Sequence, residues 1–164
     1  MNSKDVTIIS IAGGKNAGKT TLINDLIPKL KECGHTVGTL KYNISKFDID
    51  HKGKDTYKYF HSGADSIALT SQDKLAVVKR LSNPLKLNEI IETHLNNVRI
   101  VLVEGYREND YPGIRIIDSQ ESKTVKEDSD NELILVKENL KTKRFSTKDI
   151  NKALDFIVKY FQTS

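Results

Sequence analysis

The 164-residue chain has no tryptophan, one methionine, one cysteine and three prolines. Each scarcity excludes something. A lone cysteine, Cys33, can build neither an intramolecular disulfide nor a cysteine zinc site, which accords with a reducing compartment. No apolar run approaches the ~20 residues of a membrane-crossing helix. The N-terminus lacks the zones of a secretion signal, because its first apolar block runs straight into glycines. No solenoid-length repeat recurs. No Pro/Gly/Ser-rich linker divides the chain, so one domain over residues 1–164 is expected, in the cytoplasm. Twenty-six Lys+Arg against 22 Asp+Glu leave +4. With no arginine-rich run to gather it, that charge describes a lysine-rich solvated surface. Nucleic acid and membrane are not expected partners.

What is present comes in blocks. Val6 to Ala12 is a short β-branched run ending in glycines, the pattern of a buried parallel strand. From Thr20 to Cys33 the spacing turns helical, with Leu22, Ile23, Leu26, Ile27 and Leu30 near one face. Pro28 predicts a kink or early end there, and Gly34 a stop. Further strands are predicted at 36–41, 66–70, 75–78, 99–103, 114–117 and 133–136, with the pair around Gln72-Asp73 forming a hairpin. Helices are predicted from Asp55, as a capping residue, to Ser62, and over 87–95 and 150–161. The polar stretch Ser119 to Asn131 suits a mobile surface loop. Alternating strands and helices predict an α/β fold of three layers, with a mostly parallel central sheet flanked by helices.

The sharpest feature is Gly13-Gly14-Lys15-Asn16-Ala17-Gly18-Lys19-Thr20, which satisfies G-x-x-x-x-G-K-[ST] at every fixed position. Glycines let the backbone wrap closely around phosphate oxygens, and successive N–H groups then converge in a nest. The following helix adds the positive end of its dipole. Lys19 supplies a mobile cation for the β- and γ-phosphates, Thr20 a hydroxyl for Mg2+, and Thr21 a contact to the α-phosphate. A strand before and an amphipathic helix after complete a P-loop, so residues Gly13 to Thr21 are expected to bind a nucleoside triphosphate.

Glu104 closes the strand Ile100-Val101-Leu102-Val103. Ligands of parallel sheets gather outside the strands' carboxyl ends. A carboxylate there can serve Mg2+ or orient an attacking water, so Lys19 and Glu104 are the expected catalytic pair. Asp48, Asp50 and Asp55 occupy a loop of mixed charge whose spacing does not fit an EF-hand. His35, His51, His61 and His94 lack zinc-ligand spacing, and Cys33 suits a small buried residue. A small-molecule P-loop kinase would carry the same loop, but lid arginines are expected of it. Arg80, Arg99, Arg107, Arg115 and Arg144 do not cluster in sequence.

Four segments together resemble the molybdopterin-guanine dinucleotide biosynthesis adapter proteins, the MobB family. They are Gly13–Thr21; Leu26-Ile27-Pro28 with Gly34–Lys41; Phe47–Tyr57 with Gly63-Ala64; and Val103-Glu104-Gly105-Tyr106-Arg107 before Pro112. The resemblance spans about residues 6 to 117. It implies a GTP-binding adapter with weak GTPase activity, using Mg2+ and forming a homodimer. Such an adapter assists a partner enzyme that joins a guanosine nucleotide to molybdopterin in molybdenum cofactor biosynthesis. Carried over, Thr20, Asp50 and Glu104 surround the metal, and Lys54, in Gly53-Lys54-Asp55, covers the phosphates. Two departures stand out. Tyr42-Asn43-Ile44-Ser45 follows Lys41 where the family has histidines, and no N/T-K-x-D guanine-reading motif follows Val136. GTP over ATP therefore comes from the resemblance alone.

Overall fold

Short apolar runs bounded by glycines pair side by side when both faces can be covered, and that is the arrangement here. The computed structural model describes residues 6–42, 44, 45, 47, 50–106, 108, 110–119, 122, 129–137 and 144–162. Contacts gather into two compact units, Met1–Asn43 with Leu87–Ser164, and Ile44–Lys86. Each is described by itself.

The larger unit runs β1 (Thr7–Gly13), α1 (Lys19–Glu32), β2 (Val37–Lys41), then α3 (Leu87–His94), β5 (Ile100–Glu104), β6 (Gly113–Asp118), β7 (Glu132–Lys137) and α4 (Thr147–Gln162). Its sheet has the order β2-β5-β1-β6-β7, and every neighbouring pair is parallel. In the register, Ile11 faces Glu104 and Lys41 faces Glu104. Chain order reverses at β1, which makes its carboxyl end the switch point where ligands of such sheets collect. One sheet face, with Ile9, Ile11, Ile100, Leu102, Ile114 and Ile116, packs against Leu22, Leu26 and Leu30 of α1 and Ala153 and Ile157 of α4. The other face buries Val101 and Val103 against Leu87 and Ile91 of α3. The three-layer α/β architecture expected from the sequence is present.

Three local expectations are corrected. Of the kink or early end expected at Pro28, the early end does not occur: helix α1 continues through Pro28 to Glu32. A proline inside a helix costs about 3 kcal/mol, yet Leu22, Ile23, Leu26 and Leu30, buried on both sides of it, hold the helix to the sheet. Beyond Glu32 the His35 N–H bonds Leu30 O and the Gly34 N–H bonds Lys31 O, the closing pattern of a Schellman turn. Cys33 is exposed rather than buried, because it sits at this C-cap, beyond the last core residue of the helix.

In the smaller unit, α2 (Asp55–His61) precedes an antiparallel hairpin of β3 (Ser66–Thr70) and β4 (Leu75–Lys79). Lys54, not Asp55, is the N-cap of α2; Asp55 instead places its charge in the first turn, where the helix dipole favours it. Asp48, Arg107 and most of 119–131 lie outside the described residues. Among the described residues, no helix is long and apolar enough to cross a membrane.

Candidate functional site

The loop after β1 is bent by its own backbone requirements. Gly13 has φ of 151°, and a Cβ there would stand 2.8 Å from Ile116 O on the neighbouring strand. Only glycine lets the loop leave the sheet this close to β6. Asn16 adopts a left-handed φ of 64°, and Gly18 caps α1 with no side-chain cap bond. The first N–H groups of α1 therefore have no side chain of that cap bonded to them, as an anion-binding helix end requires. Ala17 has its methyl in the core and its N–H bonded to Gly14 O at 3.3 Å. It anchors the loop, while Gly14, Lys15 and Asn16 are exposed around it.

Lys19 reaches back across the loop. Its Nζ donates to Gly13 O at 3.0 Å and to Gly14 O at 2.8 Å, which holds the ammonium over the loop's concave side. Thr20, exposed on the first turn of α1, donates from Oγ1 to Glu104 Oε2 at 3.3 Å. Thr21 is half-buried on the same turn. The parallel register of β1 and β5 makes this meeting possible, since it sets the end of one strand beside the start of the other's loop.

The loop opens into a cavity of about 380 Å³ lined by Gly13, Lys19, Tyr42, Gly105, Tyr106 and Glu108. Gly105 turns the chain away from Glu104 with φ of 93°, and a Cβ there would lie 2.7 Å from Tyr42 O. Tyr106, nearly buried, is fixed at both ends. Ser10 Oγ donates to its carbonyl at 3.1 Å, and its phenol lies 3.0 Å from Glu108 Oε2 and 2.9 Å from Asp110 Oδ2. Burial first, then those two carboxylates, push the phenol's pKa well above its usual value, so it stays protonated.

Sequence reasoning thus reached Gly13, Lys19, Thr20 and Glu104, which the structure brings together. It missed Tyr42, Glu108 and Asp110. The only signal for them was Glu104-Gly105-Tyr106, a strand end followed at once by a glycine turn and an aromatic.

Asp50 and Lys54 belong to the smaller unit. Asp50 Oδ2 accepts from Thr56 Oγ1 and Oδ1 from the His51 N–H at 2.8 Å. The Thr56 bond above all, with the His51 amide, lowers its pKa. Lys54 is exposed at the start of α2.

The donor set at Thr20 and Glu104 suits a hard cation. Mg2+ is characteristically held by one or two protein oxygens, with phosphate oxygens and water completing its shell. A hydroxyl and a carboxylate 3.3 Å apart provide that share. Among the described residues, no group of three or more His, Cys, Asp or Glu converges.

Comparison with known proteins bears on the same residues. The family described as "Molybdopterin guanine dinucleotide synthesis protein B" matches residues 8–139. The molybdopterin-guanine dinucleotide biosynthesis adapter protein of Haemophilus influenzae is 27% identical over 115 residues, which are 70% of this chain and 64% of that protein. The protein of the same name from Escherichia coli K12 is 25% identical over 165 residues, 96% of this chain and 94% of its own. The crystal structure of Bacillus subtilis MobB shares the fold with a TM-score of 0.68 at 22% identity, covering 92% of this chain and 97% of that one.

Proposed function

The chain belongs to the molybdopterin guanine dinucleotide synthesis protein B family, and we propose that it serves as an adapter in the making of that dinucleotide. In this reading it binds GTP with Mg2+ in the cytoplasm, hydrolyses it slowly, and acts on a partner enzyme that attaches the guanosine nucleotide to molybdopterin. The observation that carries the reading is the joining of the phosphate loop to Glu104 through Thr20. An ordinary glycine turn between strand and helix has no need of a lysine laid across it or a threonine bonded to an acid from another strand.

The residues divide the work. Backbone N–H groups of Gly14, Lys15, Asn16 and Gly18 and the start of α1 cradle phosphate oxygens. Lys19 exchanges the neutral carbonyls of Gly13 and Gly14 for charged phosphate oxygens. Thr20 and Glu104 supply the protein oxygens for Mg2+, which would neutralise phosphate charge when bound. In the same reading Glu104 also holds a water against the terminal phosphate. Asp50 and Lys54 remain, in this reading, the family's further metal and phosphate residues.

Pairing of two copies belongs to the same proposal. Phe47, Leu75, Val77 and Leu81 of the smaller unit are 63%, 71%, 47% and 57% exposed. A two-stranded hairpin is marginal by itself, and such apolar exposure supports a surface that a second copy covers.

The test is competition between GTP and ATP for the purified protein, with and without Mg2+, using a fluorescent guanine nucleotide as probe. Preference for GTP that depends on Mg2+ and vanishes in Lys19→Ala is the expected result. Binding of neither nucleotide would overturn the reading.

A further inference from the structure

Lys137 ends β7, and it is only 6% exposed. Among the described residues the buried polar side chains are Thr7, Ser10 and Lys137, and of these Lys137 alone carries a charge. Lysine is almost never buried unless something nearby holds its charge. The surroundings here are mixed. The ammonium stands 4.2 Å from the centroid of the Phe145 ring, an attractive cation–π placement. Asp149 of α4 and Asp25 of α1 attract it as well, but burial outweighs them and lowers its pKa from the usual 10.5. Asp149 also accepts from Ser146 Oγ at 2.6 Å and from the Ser146 N–H at 3.2 Å, so its charge is shared. Folding therefore works against the charged form of this lysine.

The ammonium's position gives that cost a use. A Cβ on Gly18 would lie 2.8 Å from Lys137 Nζ and 3.4 Å from the Phe145 ring. Gly18 is the N-cap of α1, so the ammonium packs against the positive end of that helix's dipole. Lys19, the next residue, holds a second ammonium over the same loop. Like charges gathered at one helix end repel each other, and an anion seated there is attracted by all of them. Lys19 can follow a ligand, since its present partners are carbonyls on a loop open to water. Lys137 cannot, because its buried stem and the Phe145 ring fix it in place.

We propose that Lys137 is a positioning residue of the glycine loop, backing Gly18 with a fixed ammonium that strengthens the hold of the helix end on polyphosphate, an inference that rests on the reading that this loop binds phosphate. A charge already in place needs no reorganisation when the ligand arrives. Burial also shields it from the salt that screens an exposed lysine. Its removal should thus weaken anion binding without weakening the fold.

Calorimetric titration of the full chain with tripolyphosphate and with GTP, each with Mg2+, tests this on Lys137→Met and Lys137→Gln, alongside thermal melts in phosphate-free buffer. Both variants should bind either ligand at least about tenfold more weakly, in high salt as in low. Both should melt no lower than wild type, since a buried charge is gone. A lysine that served packing alone would lower the melt when replaced. Variants that bind as wild type does overturn the inference. So do two variants that both melt lower than wild type or fail to fold, because Lys137 is then a packing residue. Where only one of them does so, the other carries the test. Wild type that binds tripolyphosphate but not GTP removes the nucleotide reading, and the variants still decide the role of Lys137. Wild type that binds neither overturns both.

Discussion

The hydroxyl of Thr20 and the carboxylate of Glu104 meet at 3.3 Å although 84 residues separate them in sequence. One stands on the first turn of α1, the other at the last position of β5, and the parallel pairing of β1 with β5 closes the distance. Glu104→Gln keeps a hydrogen-bond acceptor for Thr20 and removes the charge. Hydrolysis is expected to fall by about 100-fold, with nucleotide affinity changing no more than about threefold. Single-turnover hydrolysis and equilibrium titration check this together. An equal loss in both would make Glu104 a binding or structural residue.

Thr20→Ala removes the hydroxyl alone. In Mg2+ its nucleotide affinity should drop about tenfold. With a chelator present, wild type and variant should bind alike. A deficit that persists without Mg2+ would show that the hydroxyl touches the nucleotide and not the cation.

Lys19→Ala takes away the ammonium that now bridges Gly13 and Gly14 carbonyls. Charge-assisted bonds to phosphate are worth roughly 1.5–3 kcal/mol each, so affinity is expected to fall at least about 100-fold. Because those carbonyls lie on a loop open to water, the melting temperature should move by no more than a few degrees. Calorimetric titration and a thermal melt separate the two effects.

Gly105→Ala tests backbone geometry. With φ of 93° and Tyr42 O only 2.7 Å from the added Cβ, the turn must open. A loss of about 1–3 kcal/mol in urea unfolding is expected. Nucleotide affinity should fall as well, because the turn sets where Glu104 ends and the cavity wall at Tyr106 begins. Unchanged stability would mean that β2 and β5 yield more readily than their pairing suggests.

Tyr106 makes stability depend on alkaline pH. Burial and then its two carboxylate neighbours raise the folded pKa above the ordinary 10.0. The unfolded chain therefore gives up this proton first. The phenol's contribution is whole below pH about 10 and is lost as pH climbs from there through the folded value. Urea unfolding of wild type and Tyr106→Phe from pH 8 upward should show the wild type losing stability faster above pH 10. Parallel curves would show that the phenol titrates alike in both states.

The glycine loop between β1 and α1 was legible because its signal is contiguous: eight residues hold the glycines, the lysine and the threonine, with strand and helix on either side. Glu104 was legible because it ends an all-apolar run at the edge where the loop emerges. The carboxylates Glu108 and Asp110 were not, since acids two apart in a polar stretch look like solvated loop. Only the fold turns them onto the Tyr106 phenol. Pro28 misled in the other direction. Local chemistry argued for a kink or an early end, and four buried side chains spread along α1 kept the helix from ending there. Asp50 showed nothing in its spacing, and its Thr56 and His51 partners depend on the local turn before α2.

The larger unit is interrupted in sequence by residues 44–86. A ribosome therefore releases the phosphate loop long before it makes Glu104, and strand β1 must wait for both of its neighbours, β5 and β6, which are synthesised after the interruption. Pairings this distant carry a loop-closure cost before any contact rewards them, which slows folding. The nascent loop can offer glycines and a lysine to a phosphate, but the acid that completes it arrives only when the sheet closes. If the chain binds a nucleotide as proposed, full engagement is thus a late event in the life of each chain, and one that marks the sheet as finished.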